Sequence, residues 1–145
     1  MENNLTFEEV YDYVGGDQFF QSLVDIFYKK VENDELLLSI FPRDLSEGKK
    51  LQYLFLRQRF GGPREYAALR GEPAHMRKRH MPYKITIQSR NIWLSYMIES
   101  LKELNIKEGH PAWMVMNDYF ERISMRMVNQ NEFIVEKNEI IDFKT

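Results

Sequence analysis

The sequence predicts an all-α protein. Along four long segments, apolar residues recur every three or four positions, the spacing that places them on one face of a helix. Glycine pairs and prolines separate these segments, and both are stop signals for helices. No two alternating runs of apolar and polar residues flank a turn signal, so nothing indicates a β-hairpin. These three observations favour a bundle of helices around one core.

Length and composition indicate one globular domain over residues 1–145, with its core at about 6–130 and a tail of low packing value at 131–145. Net charge is −2, which gives no general attraction to nucleic acid or to an anionic membrane. Because the chain has no cysteine, histidines and carboxylates are its candidate metal ligands. The acidic N-terminus and the lack of a long apolar run predict a cytoplasmic protein.

Two helices are predicted in the first forty or so residues. Thr6 and Glu9 have the spacing of a capping box, which opens a short helix that Gly15-Gly16 ends. Asp17 is expected to cap the next helix. Tyr28 follows Val24 by four residues and so carries its hydroxyl inward. The inward apolar residues of this second helix are Phe20, Leu23, Val24, Phe27 and Val31.

After Pro42, the stretch SEGKKLQYLFLRQRFGGP predicts a helix that begins near Ser46 and stops at residues 61–63. Its inward residues are Leu51, Leu54 and Phe55. Residues 63–84 hold three of the five prolines and show only weak periodicity. An extended or loosely helical segment is therefore expected there, with one short helix near His80.

Two longer helices are predicted in the second half of the chain. The first begins near Thr86, and the second follows His110-Pro111. The inward residues are Trp93, Met97, Leu101 and Leu104 in the first, and Trp113, Met116, Phe120, Ile123 and Met127 in the second.

Polar groups on the inward faces of three predicted helices favour a ligand pocket. Gln52 lies at the edge of an apolar face, where an unpaired buried amide costs about 1–3 kcal/mol. Tyr28 and Trp93 add a hydroxyl and an indole N–H. One such group is usually a satisfied core residue. Three of them, in a chain with 14% aromatic residues, make an aromatic-lined pocket more plausible.

His80 lies in the stretch RKRHMPYKI and has three competing interpretations: a satisfied histidine, an acid–base catalyst and a metal ligand. A single imidazole is a poor site for a free metal ion, and no HExxH or similar spacing supplies further ligands. Haem brings four nitrogens of its own and needs only one such side chain. The residues alone therefore lead to an aromatic pocket with a one-histidine metal anchor.

From about Val10 to Asn129 the chain resembles the truncated haemoglobins, specifically group II. The matching motifs are VGG at 14–16, FY at 27–28, FP at 41–42, GGP at 61–63, RHMPYKI from Arg79 and RNIWL at 90–94. Each motif is weak by itself. Their order and spacing are specific, including the interval from His80 to Trp93.

The resemblance implies a shortened globin fold, a two-over-two helical sandwich around haem b (iron protoporphyrin IX). By motif match, His80 is the proximal iron ligand, and Phe41 packs on the haem face. The distal polar residues are Tyr28, Gln52 and Trp93. Gly48 stands where many globins have a distal histidine, which leaves ligand stabilisation to those three. The apolar wall is Phe27, Phe55, Tyr83 and Met97.

The chain departs from the pattern of the truncated haemoglobins in the segment before His80. The family usually has Gly-His-Pro where this chain has Gly71-Glu72-Pro73, and one extra residue follows before His80. His75 and His110 are expected at the surface, not as ligands. Arg79 is expected to pair with a haem propionate, because an arginine fork matches a carboxylate.

Three functions stay open on the sequence. The base hypothesis is reversible binding of O2, with CO and NO as further ligands, at the haem iron. The second is a haem enzyme for NO dioxygenation or peroxidase-like chemistry, which needs an external reductase because no reductase domain is attached. The third is a helical sensor or interaction module without haem. A monomer and a homodimer are both compatible with the sequence.

Overall fold

The computed structural model describes residues 3–130 of the chain. These residues form eight α-helices and no β-strand, which confirms the all-α prediction. The helices are α1 (Phe7–Val14), α2 (Gly16–Glu32), α3 (Glu35–Ile40), α4 (Ser46–Arg59), α5 (Glu65–Arg70), α6 (Met76–His80), α7 (Ile87–Glu103) and α8 (Trp113–Met127). None of these helices is long and apolar enough to cross a membrane. The predicted tail at 131–145 lies outside the described residues.

The long helices form two packed pairs. Helix α2 packs on α4, α7 packs on α8, and α2 also crosses α7, so that one pair lies over the other. The apolar faces of these helices meet in one core. Its fully buried residues include Val10, Phe20, Leu23, Val24, Phe27, Val31, Phe60, Met97, Leu101, Met116 and Phe120. The predicted two-over-two helical sandwich is confirmed.

Two glycines allow α1 to cross the end of α4 at close range. The Tyr11 amide donates to the Phe60 carbonyl at 2.8 Å. Gly61 has a φ of +104°, and a Cβ there would overlap the backbone of Glu8. A Cβ on Gly62 would lie 2.5 Å from the Tyr11 ring. The GGP motif therefore ends α4 and also makes room for α1.

Asp17 does not cap α2, so that prediction is wrong. Helix α2 begins one residue earlier, at Gly16, with Gly15 in the left-handed region before it. Asp17 thus lies inside the first turn, where its carboxylate accepts from the Tyr11 hydroxyl at 2.5 Å and from Arg57 at 2.8 Å. It joins α2 to α1 and α4 instead.

Residues 63–84 are more helical than predicted. The short helix near His80 is present as α6, and α5 precedes it. The sequence also did not predict α3 as a helix distinct from α2. Asp34 caps α3 by accepting from the Leu37 amide at 2.9 Å. Helices of six residues span less than two turns, too few for an apolar period to be visible.

Candidate functional site

A cavity of about 660 Å³ lies between the two helix pairs and the α6 segment. This volume is within the range of about 300–1,000 Å³ that is usual for sites of small molecules and cofactors. The lining is mostly apolar and aromatic: Leu37, Ile40, Phe41, Leu51, Phe55, Leu56, Tyr66, Met76, Tyr83, Ile85, Trp93, Tyr119, Phe120, Ile123 and Met127. Such a wall excludes water and suits a large flat apolar ligand.

The cavity brings together most of the residues that the sequence singled out. Tyr28, Phe41, Gln52, Phe55, Arg79, His80, Tyr83 and Trp93 all line it. Phe27 and Met97 do not, although they were expected on the apolar wall. Both are fully buried, and the Phe27 ring packs at 5.3 Å on that of Trp93. These two residues lie behind the wall and support it.

His80 is the last residue of α6, and its imidazole faces the cavity with one nitrogen already engaged. Nδ1 lies 2.7 Å from the Met76 carbonyl oxygen, one helical turn back. A carbonyl only accepts, so Nδ1 carries the proton and Nε2 keeps its lone pair for a metal. Residues 3–130 contain no cluster of three or more His, Asp or Glu that would hold a free ion. The donor set therefore fits a cofactor that supplies its other ligands.

Asn129 holds the turn that follows His80. Its side-chain NH2 donates to the carbonyls of His80 at 3.3 Å and Tyr83 at 2.8 Å, and its oxygen accepts from the Ile85 amide at 2.9 Å. One amide thus fixes both sides of the turn after α6. The sequence analysis missed this residue, because Asn129 is distant in sequence from His80 and follows the end of α8.

Tyr28 presents a protonated hydroxyl to the cavity. Its side chain is 5% exposed, and burial raises the pKa of the phenol. The ring packs edge-on against Phe41 at 6.0 Å. A Cβ on Gly48 would lie 3.3 Å from the hydroxyl oxygen, so the absence of a side chain at Gly48 leaves this oxygen open.

Gln52 and Trp93 complete a set of three polar groups. The Trp93 ring is held between Phe27, at 5.3 Å, and Phe120, at 6.2 Å. None of the side-chain hydrogen bonds within residues 3–130 engages the Tyr28 hydroxyl, the Gln52 amide or the Trp93 N–H. Buried polar groups normally have a hydrogen-bond partner. These three are therefore available to hydrogen-bond a ligand in the cavity.

Cationic side chains lie at one edge of the cavity. Arg79 lines it, but its Nε donates to the Ala74 carbonyl at 2.9 Å and one terminal nitrogen donates to the Arg70 carbonyl at 3.3 Å. Part of the Arg79 guanidinium is therefore already hydrogen-bonded to the backbone. Arg70 also lines the cavity, and the sequence analysis missed it.

The other two histidines lie outside the cavity. His75 is exposed, with a φ of +56°, and directly precedes α6. His110 is half-buried rather than on the surface, because its Nδ1 accepts from the Ala112 amide at 3.0 Å and its ring packs on Tyr13. Burial lowers the pKa of His110.

A two-over-two helical sandwich, with an apolar cavity and one anchored imidazole facing it, defines a haem-binding globin of the shortened class. The chain matches the family described as bacterial-like globin over residues 9–129, and it belongs to that family. The prediction of a group II truncated haemoglobin is thereby confirmed. Membership implies a haem cofactor, which the donor set described above fits.

Relatives agree with this assignment. The chain is 37% identical over 117 residues to group 2 truncated hemoglobin YjbI of Bacillus subtilis (strain 168), covering 81% of this chain and 86% of the relative. Among solved structures, the hemoglobin of Chloroflexus aurantiacus is 44% identical with a TM-score of 0.77, over 83% of this chain and 97% of that one. The truncated oxygen-avid haemoglobin of Bacillus subtilis is 34% identical with a TM-score of 0.74, over 82% and 98%.

Proposed function

We propose that this protein reversibly binds O2, and also CO and NO, at the iron of haem b held by His80. The observation that supports this most is the composition of the cavity. An imidazole with a free Nε2 lines the same apolar space as three polar groups that have no hydrogen-bond partner among residues 3–130. When bound, haem would supply an iron that can bind diatomic ligands, and His80 is the residue that would hold it.

In this proposal His80 provides the protein nitrogen. The Met76 carbonyl keeps the proton on Nδ1, which orients the ring and makes Nε2 a better donor. Asn129 holds the end of α6 through the His80 carbonyl and holds the turn that follows through Tyr83 and Ile85.

Tyr28, Gln52 and Trp93 stabilise the diatomic ligand by donating hydrogen bonds. A ligand that takes up partial negative charge gains about 1.5–3 kcal/mol from each charge-assisted bond. Because burial raises the pKa of Tyr28, its hydroxyl remains a donor at any pH near neutrality. Phe41, Phe55 and Leu51 keep competing water away from these donors.

The remaining lining residues position the cofactor. Phe41, Phe55 and Tyr83 contact its apolar faces, with Phe27 and Met97 packed behind them. The free donors of Arg79, and the guanidinium of Arg70, are available to the propionates. We infer one globin domain across residues 1–145, located in the cytoplasm as a monomer or a homodimer.

A haem enzyme for NO dioxygenation or peroxidase-like chemistry is the competing function. It uses the same cavity, and Tyr28 and Trp93 are side chains that can be oxidised there. It differs in requiring steady electron supply from an external reductase. Consumption of NO by the O2-loaded protein, followed over many turnovers with a reductant, would separate it from reversible binding.

The absorption spectrum of the purified protein tests the proposal directly. Oxidised, reduced and CO-treated samples should show a Soret band that moves on reduction and again on CO addition. Reversible O2 binding should then appear as full recovery of the reduced spectrum after deoxygenation. The proposal is wrong if haem added to the chain yields no Soret band.

A further inference from the structure

Positive charge is concentrated in one stretch of this chain, although its net charge is −2. Residues 73–98 contain no Asp or Glu, but they contain five Lys and Arg and also His75 and His80. Three of the five, Arg77, Arg79 and Arg90, contact backbone carbonyls. Arg77, Lys78 and Lys84 are exposed.

Arg77 and Lys78 form a surface together with the end of α8. One terminal nitrogen of Arg77 lies 3.3 Å from the Met81 sulfur, and the other lies 3.5 Å from the Val128 carbonyl oxygen. These contacts bring α6 beside the last turn of α8. We call this the α6–α8 surface, and it consists of Arg77, Lys78, Met81, Met125, Arg126 and Val128.

The α6–α8 surface is partly apolar as well as basic. Met81 is 54% exposed and Met125 is 45% exposed. Carboxylates border it at Asp118, which pairs with Arg122 at 2.9 Å, and at Glu121. Flexible, polarizable methionines suit binding surfaces that adapt to a partner and release it again.

Two residues of this surface share a short helix with the proposed iron ligand. His80 is on the same short helix as Arg77 and Lys78, and Met81 follows it in the chain. The His80 carbonyl accepts from Asn129, which follows Val128. The cationic residues Arg77 and Lys78 are therefore within one helical turn of His80 along α6. A group seated here would be close to the iron on its histidine side.

We propose that the α6–α8 surface docks an acidic one-electron donor protein that reduces the haem iron. This inference rests on the proposed haem site at His80. In the step, the donor loses one electron and the iron passes from ferric to ferrous. Opposite charges on the two surfaces speed the encounter, and small interfaces of less than about 1,200 Å² are typical of transient electron transfer.

An acidic protein fits this surface better than an anionic membrane or a nucleic acid. The chain as a whole is negative, so a large anionic surface would repel most of it. A compact acidic patch on a partner protein would contact only the cationic residues of the α6–α8 surface. A position on the same helix as His80 also matters for electron transfer, whereas it would serve no purpose in binding lipid or nucleic acid.

A reduced flavodoxin is the probe for the test, because it is a small acidic one-electron donor. The ferric holoprotein and reduced flavodoxin would be mixed under CO in a stopped-flow instrument, and the CO-bound spectrum would report iron reduction. The Arg77→Glu/Lys78→Glu variant should lower the second-order rate about tenfold or more at low salt. The difference should largely disappear at about 1 M salt.

A matched control is the Lys29→Glu/Lys107→Glu variant, which makes the same change in net charge at two exposed positions away from α6 and α8. It should react at close to the wild-type rate. A readout without turnover is the dissociation constant for oxidised flavodoxin by calorimetry, which should weaken only in the Arg77/Lys78 variant.

Equal losses in the two charge-reversed variants would overturn the proposal, because net charge alone would then explain the rates. Binding of phosphatidylserine vesicles that is lost only on Arg77/Lys78 reversal, with unchanged flavodoxin kinetics, would assign the surface to a membrane and also overturn it. Reduction by dithionite and the CO spectrum report the haem site separately. If these are normal in every variant, a failure concerns the docking surface and leaves the proposed function standing.

Discussion

At the scale of single residues, Tyr28 has the two properties that a hydrogen-bond donor to a buried ligand needs. Its hydroxyl has no partner among the described residues, and burial keeps it protonated. The same burial that excludes water from the ring also strengthens any hydrogen bond made there, because the local dielectric constant is low. Within residues 3–130 the cavity thus contains a donor that no protein acceptor engages.

The raised pKa of Tyr28 predicts a loss of stability at alkaline pH. Above the ordinary value of 10.0, the unfolded chain loses the phenolic proton while the folded chain retains it. The free energy of unfolding contributed by this group is therefore constant below that pH and falls as the pH rises above it. Tyr28→Phe should show a shallower decline than the wild type in urea unfolding between about pH 9 and pH 12.

A second buried tyrosine, Tyr119, calibrates this measurement. Burial raises the pKa of Tyr119 to about 12, so Tyr119→Phe should also reduce the alkaline decline. An unchanged slope in the Tyr28 variant would show that this hydroxyl is hydrated in the folded protein.

The three donors together predict a pattern of O2 release. Tyr28→Phe, Gln52→Leu and Trp93→Phe should each speed release, because a lost hydrogen bond destabilises the bound state and acts mainly on the off-rate. One donor worth about 1.4 kcal/mol corresponds to a tenfold change. The effects of double variants should fall short of the product of the single ones, since the remaining donors can pair again.

CO is the matched control ligand, because it takes up little negative charge. Its release should depend only weakly on the same three substitutions, as measured by stopped-flow ligand replacement. Wild-type O2 release from all three variants would mean that Tyr28, Gln52 and Trp93 only line the cavity.

At the scale of helices, Arg57 joins the three helices α2, α4 and α5. Its side chain is 9% exposed, and it pairs from α4 with Asp17 of α2 at 2.8 Å and Glu65 of α5 at 2.5 Å. The Tyr53 hydroxyl accepts a further bond at 3.2 Å. The buried Nε of Arg57 has no protein partner in residues 3–130.

Removing Arg57 should therefore loosen α5 from α4. Arg57→Ala should lower the free energy of unfolding by about 1.5–3 kcal/mol, the range for hydrogen bonds that involve a charged group. The half-exposed partner carboxylates can rehydrate, which keeps the loss from being larger. Urea unfolding measures it. Arg122→Ala, which breaks an exposed pair on α8, should cost less than about 1 kcal/mol, and equal losses would contradict the role given to Arg57.

The long helices could be predicted from the sequence because their apolar faces repeat over several turns. Helices α3 and α5 could not, since each has only six residues. The expected cap at Asp17 failed for a different reason. Its carboxylate has stronger partners in Tyr11 and Arg57, which are distant in sequence or in another helix and so leave no local signal.

The residues of the candidate site also fall into those that the sequence predicted and those that it did not. Tyr28, Gln52 and Trp93 could be placed from their positions relative to apolar faces, and His80 from the spacing of the motifs. Phe27 and Met97 were expected on the wall from the family resemblance, but both are fully buried and do not line the cavity. Arg70 and Asn129 could not be predicted, because the segments that carry them are positioned by tertiary contacts and have no periodic pattern of their own.

At the scale of the whole molecule, the cavity links stability to the cofactor. Phe41, Phe55 and Tyr83 line a space that is open to water when no cofactor fills it. A ligand that binds only the folded state at a concentration 1,000 times its dissociation constant adds about 4 kcal/mol. Removing haem should therefore lower the melting temperature by far more than an exposed substitution such as Lys107→Glu does.

Calorimetry of haem-free and haem-loaded protein checks this expectation. Adding haem back to the apoprotein should restore the higher melting temperature. Equal melting temperatures for the two forms would contradict a buried haem site, whatever the spectrum shows.

The central claim is that His80 holds the haem iron, and the absorption spectrum of His80→Gly with and without imidazole tests it most directly. The account predicts that this variant loses stable haem and that free imidazole, which can occupy the vacated space, partly restores the Soret band. His75→Ala and His110→Ala should keep the wild-type spectrum. Loss of haem in the His75 variant, with haem retained in the His80 variant, would contradict the account.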